Sequence, residues 1–447
     1  MIMLFGQRVD LILILALVLI LTAVVYGLIL LVLSRFEPQR SPTGPTARST
    51  AENYRYAAGM EHHSPFVVFV LPCLNEEQVI AASLARLTAL DHPRIRIVVV
   101  DDGSDDATAA IVADNPDPRI VLIQRVLPHA RQGKGEALNT AIRHIRSGTV
   151  LGEYDLAEVI VCVMDADGHL EDHTLEKVLP LFIDPDLGAV QIGVRINNRH
   201  TNMLARMQDV EFVLYTHIFQ RGRRHLGSVG LGGNGQFVRM SALDTLGSHP
   251  WSRSLSEDLD LGVRLLLQGW DTEFCSTTAV HQQGLVDLRA WLKQRTRWFQ
   301  GHLQTWPLVP WVLRNLRGTR RLDVLYHLTS PFLLLVGSLL TVAFGLWTLS
   351  LAVAAAAGSL SFSPWWVSAY LVAFGPVLLY GLVYARRESS TPIGRWRALL
   401  VFHAFALYAT LWYVAGWRAA VRALIGRQWW VKTERSREDQ IRPVPAS

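Results

Sequence analysis

Two carboxylates one residue apart, Asp165 and Asp167, close the apolar run Val159-Ile-Val-Cys-Val-Met164. Mg²⁺ binds through one or two carboxylates plus phosphate oxygens and water, so an Asp-x-Asp at a strand end suits a metal carrying a diphosphate. A solvated turn is the plainer reading of the same residues. A second acidic cluster, Asp101-Asp102-Gly103-Ser104-Asp105-Asp106, ends the run Ile95–Val100. Its carboxylates can accept hydrogen bonds from a nucleobase or ribose, or serve as a turn and helix cap. Asn75 and Glu76, just past the run Phe66–Leu71 and Pro72, are further candidate donor contacts. Lys134, between Gly133 and Gly135, can meet phosphate as a point charge at a helix start; a solvated loop lysine is the alternative. Ser256-Glu257-Asp258 precedes the amphipathic run Leu259–Leu266. Asp258 reads either as a general base at the mouth of a sheet or as a first-turn acid favoured by the dipole of a helix that Ser256 caps. The stretch Gly227–Gly235 holds neither a Gly-Lys-Ser/Thr phosphate loop nor a dinucleotide fingerprint. Its glycines allow backbone to approach a sugar, with Gly233 and Asn234 as candidate acceptor contacts, or they make a flexible loop. His281 is either a third metal ligand or a satisfied histidine.

These residues need a scaffold. Apolar strands at Phe66–Leu71 (ended by Pro72), Ile95–Val100, Ile120–Ile123 and Val159–Val163 alternate with helical patterns at Val79–Leu90, from about Ala107, and from Gly133. This order predicts an α/β fold with a mostly parallel sheet and right-handed crossovers. Ligands of such sheets lie beyond the carboxyl ends of the strands, where both Asp clusters fall. Val190–Val194 adds a strand, and residues 203–221 a helix. Leu288–Trp298 and Trp306–Arg321 mix apolar and aromatic residues with Lys293, Arg295 and Arg297. They read as amphipathic helices with a basic side toward lipid headgroups, or as groove helices of a soluble domain.

The composition points to a membrane protein with a soluble portion. Of 447 residues, 50% are hydrophobic and only 18% charged, and the mean hydropathy is +0.22. The net charge of +5 fits Lys and Arg in cytoplasmic segments; no aromatic-basic pattern suggests a nucleic-acid partner. Cys73, Cys162 and Cys275 read as buried apolar residues in a reducing compartment. Leu11–Leu33, Phe332–Ala357, Trp365–Ala385 and Leu399–Trp417 are apolar enough to span. Arg35, Arg40 and Arg48 place the segment after the first span in the cytoplasm. Arg386, Arg387, Arg395 and Arg397 also call for the cytoplasm, but a further crossing would send the basic tail outside. Either the last run, which contains His403, is re-entrant or interfacial, or the charge rule fails here. The expected organisation is a first membrane helix over 1–35, a linker over 36–64, a cytoplasmic catalytic domain over 65–287, interface helices over 288–325, about three membrane helices over 326–417 and a basic tail over 418–447.

In their order, Asp101-Asp102-Gly103-Ser104, Asp165-Ala166-Asp167, Ser256-Glu257-Asp258 and Gln294-Arg295-Thr296-Arg297-Trp298 resemble the motifs of membrane-integrated family 2 glycosyltransferases, the group that includes hyaluronan, chitin, cellulose and poly-N-acetylglucosamine synthases. The resemblance runs from about Pro65 to the C-terminal apolar runs. Gln294, Arg297 and Trp298 match Gln-x-x-Arg-Trp, and Trp430-Val-Lys432-Thr433-Glu-Arg435 is similar to a tail of bacterial members. The resemblance implies a GT-A fold, a nucleotide-diphosphate sugar donor such as a UDP-sugar, Mg²⁺ or Mn²⁺, and a bacterial plasma membrane. It implies that Asp101 and Asp102 touch the nucleoside with Lys134 nearby, and that Asp165 and Asp167 bind the diphosphate and metal. Asp258 would take the acceptor proton, Glu257 would lie beside the acceptor, and Gln294, Arg297 and Trp298 would line the acceptor mouth and hold the diphosphate. Ser256 stands where Thr is usual, and Gly232-Gly233-Asn234-Gly235 replaces the Cys-containing version of cellulose synthases, which argues against cellulose.

One base and in-line displacement would invert the anomeric centre and give a β-linkage. The first expectation is therefore a metal-dependent enzyme that builds a β-linked polysaccharide and exports it. The alternative is transfer of one sugar to a lipid acceptor. A non-catalytic transporter or scaffold is a third reading, opposed by the chemically competent residues kept at all four motifs. The acceptor is a carbohydrate or glycolipid, met at membrane lipid; partner subunits are unspecified.

Overall fold

The computed structural model describes residues 2–4, 7–9, 11–37, 65–358, 370, 375, 378–385 and 395–426. The linker from 38 to 64, most of the run from Trp365 to Leu378, Arg386, Arg387 and the Trp430–Arg435 tail lie outside the described residues.

Eight strands form one sheet: β1 (Phe66–Cys73), β2 (Ile95–Asp101), β3 (Ile120–Gln124), β4 (Val159–Val163), β5 (His169–Leu170), β6 (Leu187–Ile196), β7 (Gln236–Arg239) and β8 (Asp271–Gln282). Their spatial order is β3-β2-β1-β4-β7-β6-β8-β5. The first four neighbours pair in parallel, β7 runs antiparallel to both β4 and β6, and β8 is parallel to β6. The expected α/β architecture with a mostly parallel sheet is present. Side chains of β1 alternate between two cores as the pleat requires. Val67, Phe69 and Leu71 join the cluster that holds Ile80, Leu84 and Leu87. Phe66, Val68 and Val70 join the cluster that holds Leu138, Ala141, Ile142 and Ile145.

β1 does not end at Pro72 as the sequence suggests; Pro72 pairs with Val100 and Cys73 with Asp101. The reason lies in strand geometry. Val70 faces β4, where its carbonyl accepts from Met164 N–H at 3.1 Å. Pro72 faces the same way, but that ladder stops at Val70, so its missing N–H costs no bond.

Helices α1 (Leu11–Leu33), α2 (Ile80–Thr88), α3 (Thr108–Ala113), α4 (Lys134–Arg146), α5 (Met203–Leu214), α6 (Glu257–Leu267), α7 (Leu288–Gln304), α8 (Gly318–Ala356) and α9 (Arg395–Leu424) surround the sheet. α2 and α4 cover its two faces. α6 packs Leu261 and Leu265 on the sheet and Val263 and Leu266 on α8. A third core joins α1, α5, α7 and α9 through Leu30, Met207, Trp291 and Phe402.

α7 is a groove helix. Arg295, which the first reading turned toward lipid headgroups, is fully buried and pairs with Glu211 of α5 at 3.0 Å; Lys293 alone of the three basic residues is exposed. α8 is continuous for 39 residues and crosses the expected 325/326 boundary without a break. It contains Pro331, which deprives the His327 carbonyl of its helical partner. That carbonyl accepts instead from Ser330 Oγ of α8 at 2.7 Å and from His302 Nε2 of α7 at 2.9 Å. The last apolar run lies within the 30 residues of α9, whose Tyr408 accepts from Trp291 Nε1 of α7 at 3.0 Å.

Candidate active site

β1, flanked in parallel by β2 and β4, carries the centre of the site, and both Asp clusters leave the sheet at its carboxyl edge. From β4, Asp165 reaches Lys134 at the start of α4: Lys134 Nζ donates to Asp165 Oδ1 at 2.6 Å and to the Gly233 carbonyl at 2.7 Å. A Cβ on Gly233 would lie 3.0 Å from Lys134 Nζ and 3.4 Å from Asp258 Oδ2. Lys134, Asp165, Gly233 and Asp258 thus meet at one point. Asn234 Oδ1 accepts from Asp165 N–H at 3.2 Å, which fixes the strand end. Lys134 is partly buried, yet the charges of Asp165, Glu257 and Asp258 outweigh its desolvation and raise its pKa.

Glu257 and Asp258 open α6. Burial pushes Glu257 up to about 7, helped by the adjacent Asp258. Burial also raises Asp258, against the pull of the Leu259 N–H, Lys134 and Arg297. The charge of Arg297, on α7, thus acts on both acids. Ser256 occupies the N-cap position without a capping hydrogen bond; its hydroxyl donates to the Trp298 carbonyl at 3.3 Å. Gly301 permits this approach, since a Cβ there would sit 2.3 Å from Ser256 Oγ. The serine thus ties the acidic helix to the Gln-x-x-Arg-Trp helix. Gln294 accepts from Arg295 through Oε1, and the Arg295 guanidinium lies 4.0 Å over the Trp298 ring, so one face of that ring is covered.

At the other end of the site Asp101 and Asp102 are buried. Asp102 Oδ1 accepts from the buried Arg125 guanidinium and from Arg131 N–H at 3.0 Å. Asp101 Oδ1 accepts from Ser104 N–H at 3.2 Å. Asn75, at φ 56°, donates its N–H to Ser104 Oγ at 2.9 Å and accepts from Asp105 N–H at 3.0 Å; Glu76 N–H donates to Thr108 Oγ1 at 2.7 Å. The loops after β1 and β2 thereby lock together.

Asp167 is almost fully buried, and its Oδ2 accepts from Gln283 N–H at 2.9 Å. His281 pairs with Glu171 at 3.1 Å, as a satisfied histidine does. Among the described residues no group of three or more His, Cys, Asp or Glu side chains forms a complete metal cage. Asp165 and Asp167 nevertheless fit a hard cation whose other ligands are diphosphate oxygens. Asp165 Oδ1 already carries a cationic stand-in, the Lys134 ammonium.

The glycine-rich segment is pinned by two glutamines rather than left loose. Gln191 Oε1 accepts from Gly232 N–H at 2.8 Å, and its Nε2 donates to the Asn234 carbonyl at 2.9 Å. Gln220 Oε1 accepts from Gly230 N–H at 3.0 Å, and its Nε2 donates to the Gly230 carbonyl at 2.6 Å. The sequence reading missed both. Gln191 had a signal, a lone amide in an apolar strand; Gln220 had none.

A family model described as glycosyltransferase-like family 2 matches residues 64–301, more than half of the chain. The beta-monoglucosyldiacylglycerol synthase of Trichormus variabilis is 35% identical over 289 residues, 62% of this chain and 58% of that protein. Its counterpart from Synechocystis is 32% identical over 294 residues, 63% of this chain and 58% of that protein. The chain thus spans somewhat over half the length of these relatives. By name they are glycolipid synthases, not the polysaccharide synthases that the motifs resemble. A mannosyltransferase, PcManGT from Pyrobaculum calidifontis, solved with GDP-Man and Mn²⁺, superposes with a TM-score of 0.57 at 21% identity, covering 94% of this chain and 100% of that one. That likeness shows the shared GT-A-like α/β fold.

Proposed function

The chain belongs to glycosyltransferase family 2; from that premise we propose that it uses a nucleotide sugar and transfers a single hexosyl unit, glucose first, to the free hydroxyl of a diacylglycerol-type lipid. The observation that carries the chemistry is the meeting of Asp258, Lys134 and Asp165 at Gly233. The names of the relatives favour the lipid acceptor over the polysaccharide that the motifs alone put first.

Asp258 accepts the proton of the acceptor hydroxyl as its oxygen bonds to the anomeric carbon. The bond from that carbon to the diphosphate breaks, and the nucleoside diphosphate leaves with the electron pair. Attack opposite the leaving group inverts the centre and gives a β-linkage. Lys134 and Arg297 supply fixed positive charge where the leaving group becomes more negative. Asp165 and Asp167 would hold Mg²⁺ or Mn²⁺, which when bound neutralises diphosphate charge. Asp101, Asp102, Asn75 and Glu76 shape the nucleoside end, while Gly233, Asn234, Glu257, Gln294 and Trp298 shape the acceptor end. Gln294 and Trp298 act there with Arg295 packed between them, so Trp298 offers the acceptor one ring face.

A lipid acceptor requires a membrane. Gly318–Ala343 and Leu400–Leu424 are long and apolar enough to cross one. Leu339, Val342 and Leu346 of α8 and Leu400 and Leu407 of α9 expose their side chains, an arrangement suited to lipid. The proposed location is the bacterial plasma membrane, with the catalytic domain cytoplasmic.

The test is transfer from UDP-glucose to dioleoylglycerol in mixed micelles with Mg²⁺ or Mn²⁺, with Asp258→Asn alongside. The expected product carries one glucose, and the variant loses roughly 10²–10⁴-fold in rate while still binding UDP. A product ladder would return the assignment to polysaccharide synthesis; a fully active variant would remove Asp258 as the base.

A further inference from the structure

α9 is long enough to cross a bilayer, yet its middle is held by the catalytic domain. The Tyr408 hydroxyl donates to Glu211 of α5 and accepts from Trp291 of α7 as described above. The Trp412 ring lies 6.1 Å from that of Trp291, with the Arg295 guanidinium 5.4 Å over it. A Cβ on Gly416 would lie 2.9 Å from the Phe299 ring. Trp291, Arg295 and Phe299 follow one another along α7 as Tyr408, Trp412 and Gly416 do along α9, so the two helices run side by side. At 1.5 Å per residue, about 20 Å of α9 precedes Tyr408 and about 12 Å follows Gly416. Neither arm reaches across an apolar layer of about 30 Å.

α7 itself stays outside that layer: its Arg289 and Lys293 are exposed, and exposed charge is costly in lipid. The outer face of α9 is apolar. Leu400, Leu407, Val414 and Val421 are exposed, each seven residues after the last. Seven residues make almost two full turns, so they form one stripe along the helix. Val401, Phe402, Tyr408, Ala415 and Ala419 are buried on the other side. One face thus rests on protein while the other presents apolar side chains, as in a helix lying in a membrane surface. The stripe joins exposed Leu339 and Val342 of α8, because Trp417 Nε1 donates to Ser338 Oγ at 2.9 Å and the Tyr413 hydroxyl lies 3.1 Å from Thr341 Oγ1. Trp and Tyr favour the headgroup level. α8 is about 58 Å long, enough to line the catalytic domain through Asp323 and His327 before it enters lipid. Charge agrees as well. Arg395 and Arg397 stand at one end of α9, Arg418 and Arg422 at the other. Lying flat puts all four on the cytoplasmic side, which a crossing cannot do.

We propose that α9 does not cross the bilayer but docks on it, its Leu400, Leu407, Val414 and Val421 stripe dipping into the acyl boundary of the leaflet nearest the catalytic domain. Its other face carries α7, so Gln294, Arg297 and Trp298 are held at a fixed height over the lipid. This goes beyond the transfer reaction and does not depend on which hydroxyl accepts the sugar.

The experiment uses the full chain in sealed inverted vesicles with one new cysteine at a time; Cys73, Cys162 and Cys275 are buried. Ser390→Cys precedes α9, Gln428→Cys follows it, and Ser248→Cys marks the exposed surface of the catalytic domain. A membrane-impermeant maleimide is expected to label all three from the same side. Labelling of 390 and 428 from opposite sides overturns the proposal. A fluorescent dye on Leu407→Cys then tests the stripe. It is expected to lose fluorescence when the vesicles contain a lipid with a doxyl group near its headgroup, while the same dye at 248 does not. No loss at 407 overturns the docking. Disulfide crosslinking between two chains at 407 without quenching gives the stripe to a second copy and overturns it too. Val421→Cys repeats the test should Leu407→Cys fail to fold.

Discussion

Asp258 and Glu257 are neighbours in sequence and share a poorly solvated site, so each opposes ionisation of the other. The pH profile should record this. The acid limb of kcat/KM should lie above the ordinary aspartate range, because the proposed base, Asp258, must be ionised to work. Glu257→Gln removes the like charge, so the limb should move to lower pH; an unmoved limb would separate Glu257 from the base. Stability gives an independent check. Between the ordinary glutamate range and about 7, folded Glu257 keeps a proton that the unfolded chain releases, so stability falls as pH rises through that window. The Gln variant has no proton to lose, and its melting temperature should exceed wild type above pH 7. The acids themselves were legible because their types and strand-end positions carry meaning. The partners of Asp102 and the hydroxyl of Ser256 were not: Arg125 and Trp298 reach them through tertiary packing, and the residue types allowed an ordinary cap.

At the scale of elements, the strands were readable from apolar runs and Asp-ended turns, since a strand buried on both faces has few other sequences. The π-helix at Tyr215–Gln220 was not, because an inserted residue barely disturbs a helical pattern over six positions. The lean of α1 on the catalytic domain was equally hidden. It depends on Gly222, where a Cβ would stand 2.7 Å from the Leu30 carbonyl and 3.0 Å from Leu30 Cα. Backbone cannot swing aside as a side-chain tip can. Gly222→Ala should therefore cost about 1–3 kcal/mol, read as a lowered melting temperature in detergent; an unchanged melting curve would mean that α1 is not held there. The basic residues of α7 misled in the same way. Periodicity marks which face a residue occupies but not whether that face meets lipid or a buried Glu211.

For the whole molecule, three parts meet at one buried carboxylate. Asp323 of α8 accepts from Tyr26 of α1 at 2.7 Å and from Arg223 of the catalytic domain at 2.7 Å. Both members of the ion pair are almost fully buried. Asp323→Asn would leave the Arg223 charge without its counterion, at about 3–5 kcal/mol, and thermal unfolding in detergent should show it; a loss confined to activity would mean the joint aligns the parts without holding them. Composition foretold the apolar helices, but a junction between parts far apart in sequence has no signature in either. The bond from His302 to the carbonyl that Pro331 releases has its own consequence. A proline gives a rod one place to flex, and here that place is latched to the helix bearing Gln294, Arg297 and Trp298. Burial pushes His302 down to about 4, so the latch is a neutral imidazole at any ordinary pH. Any force that bends the rod at Pro331 would have to work against this latch, and the strain would travel to the helix that faces Glu257 and Asp258.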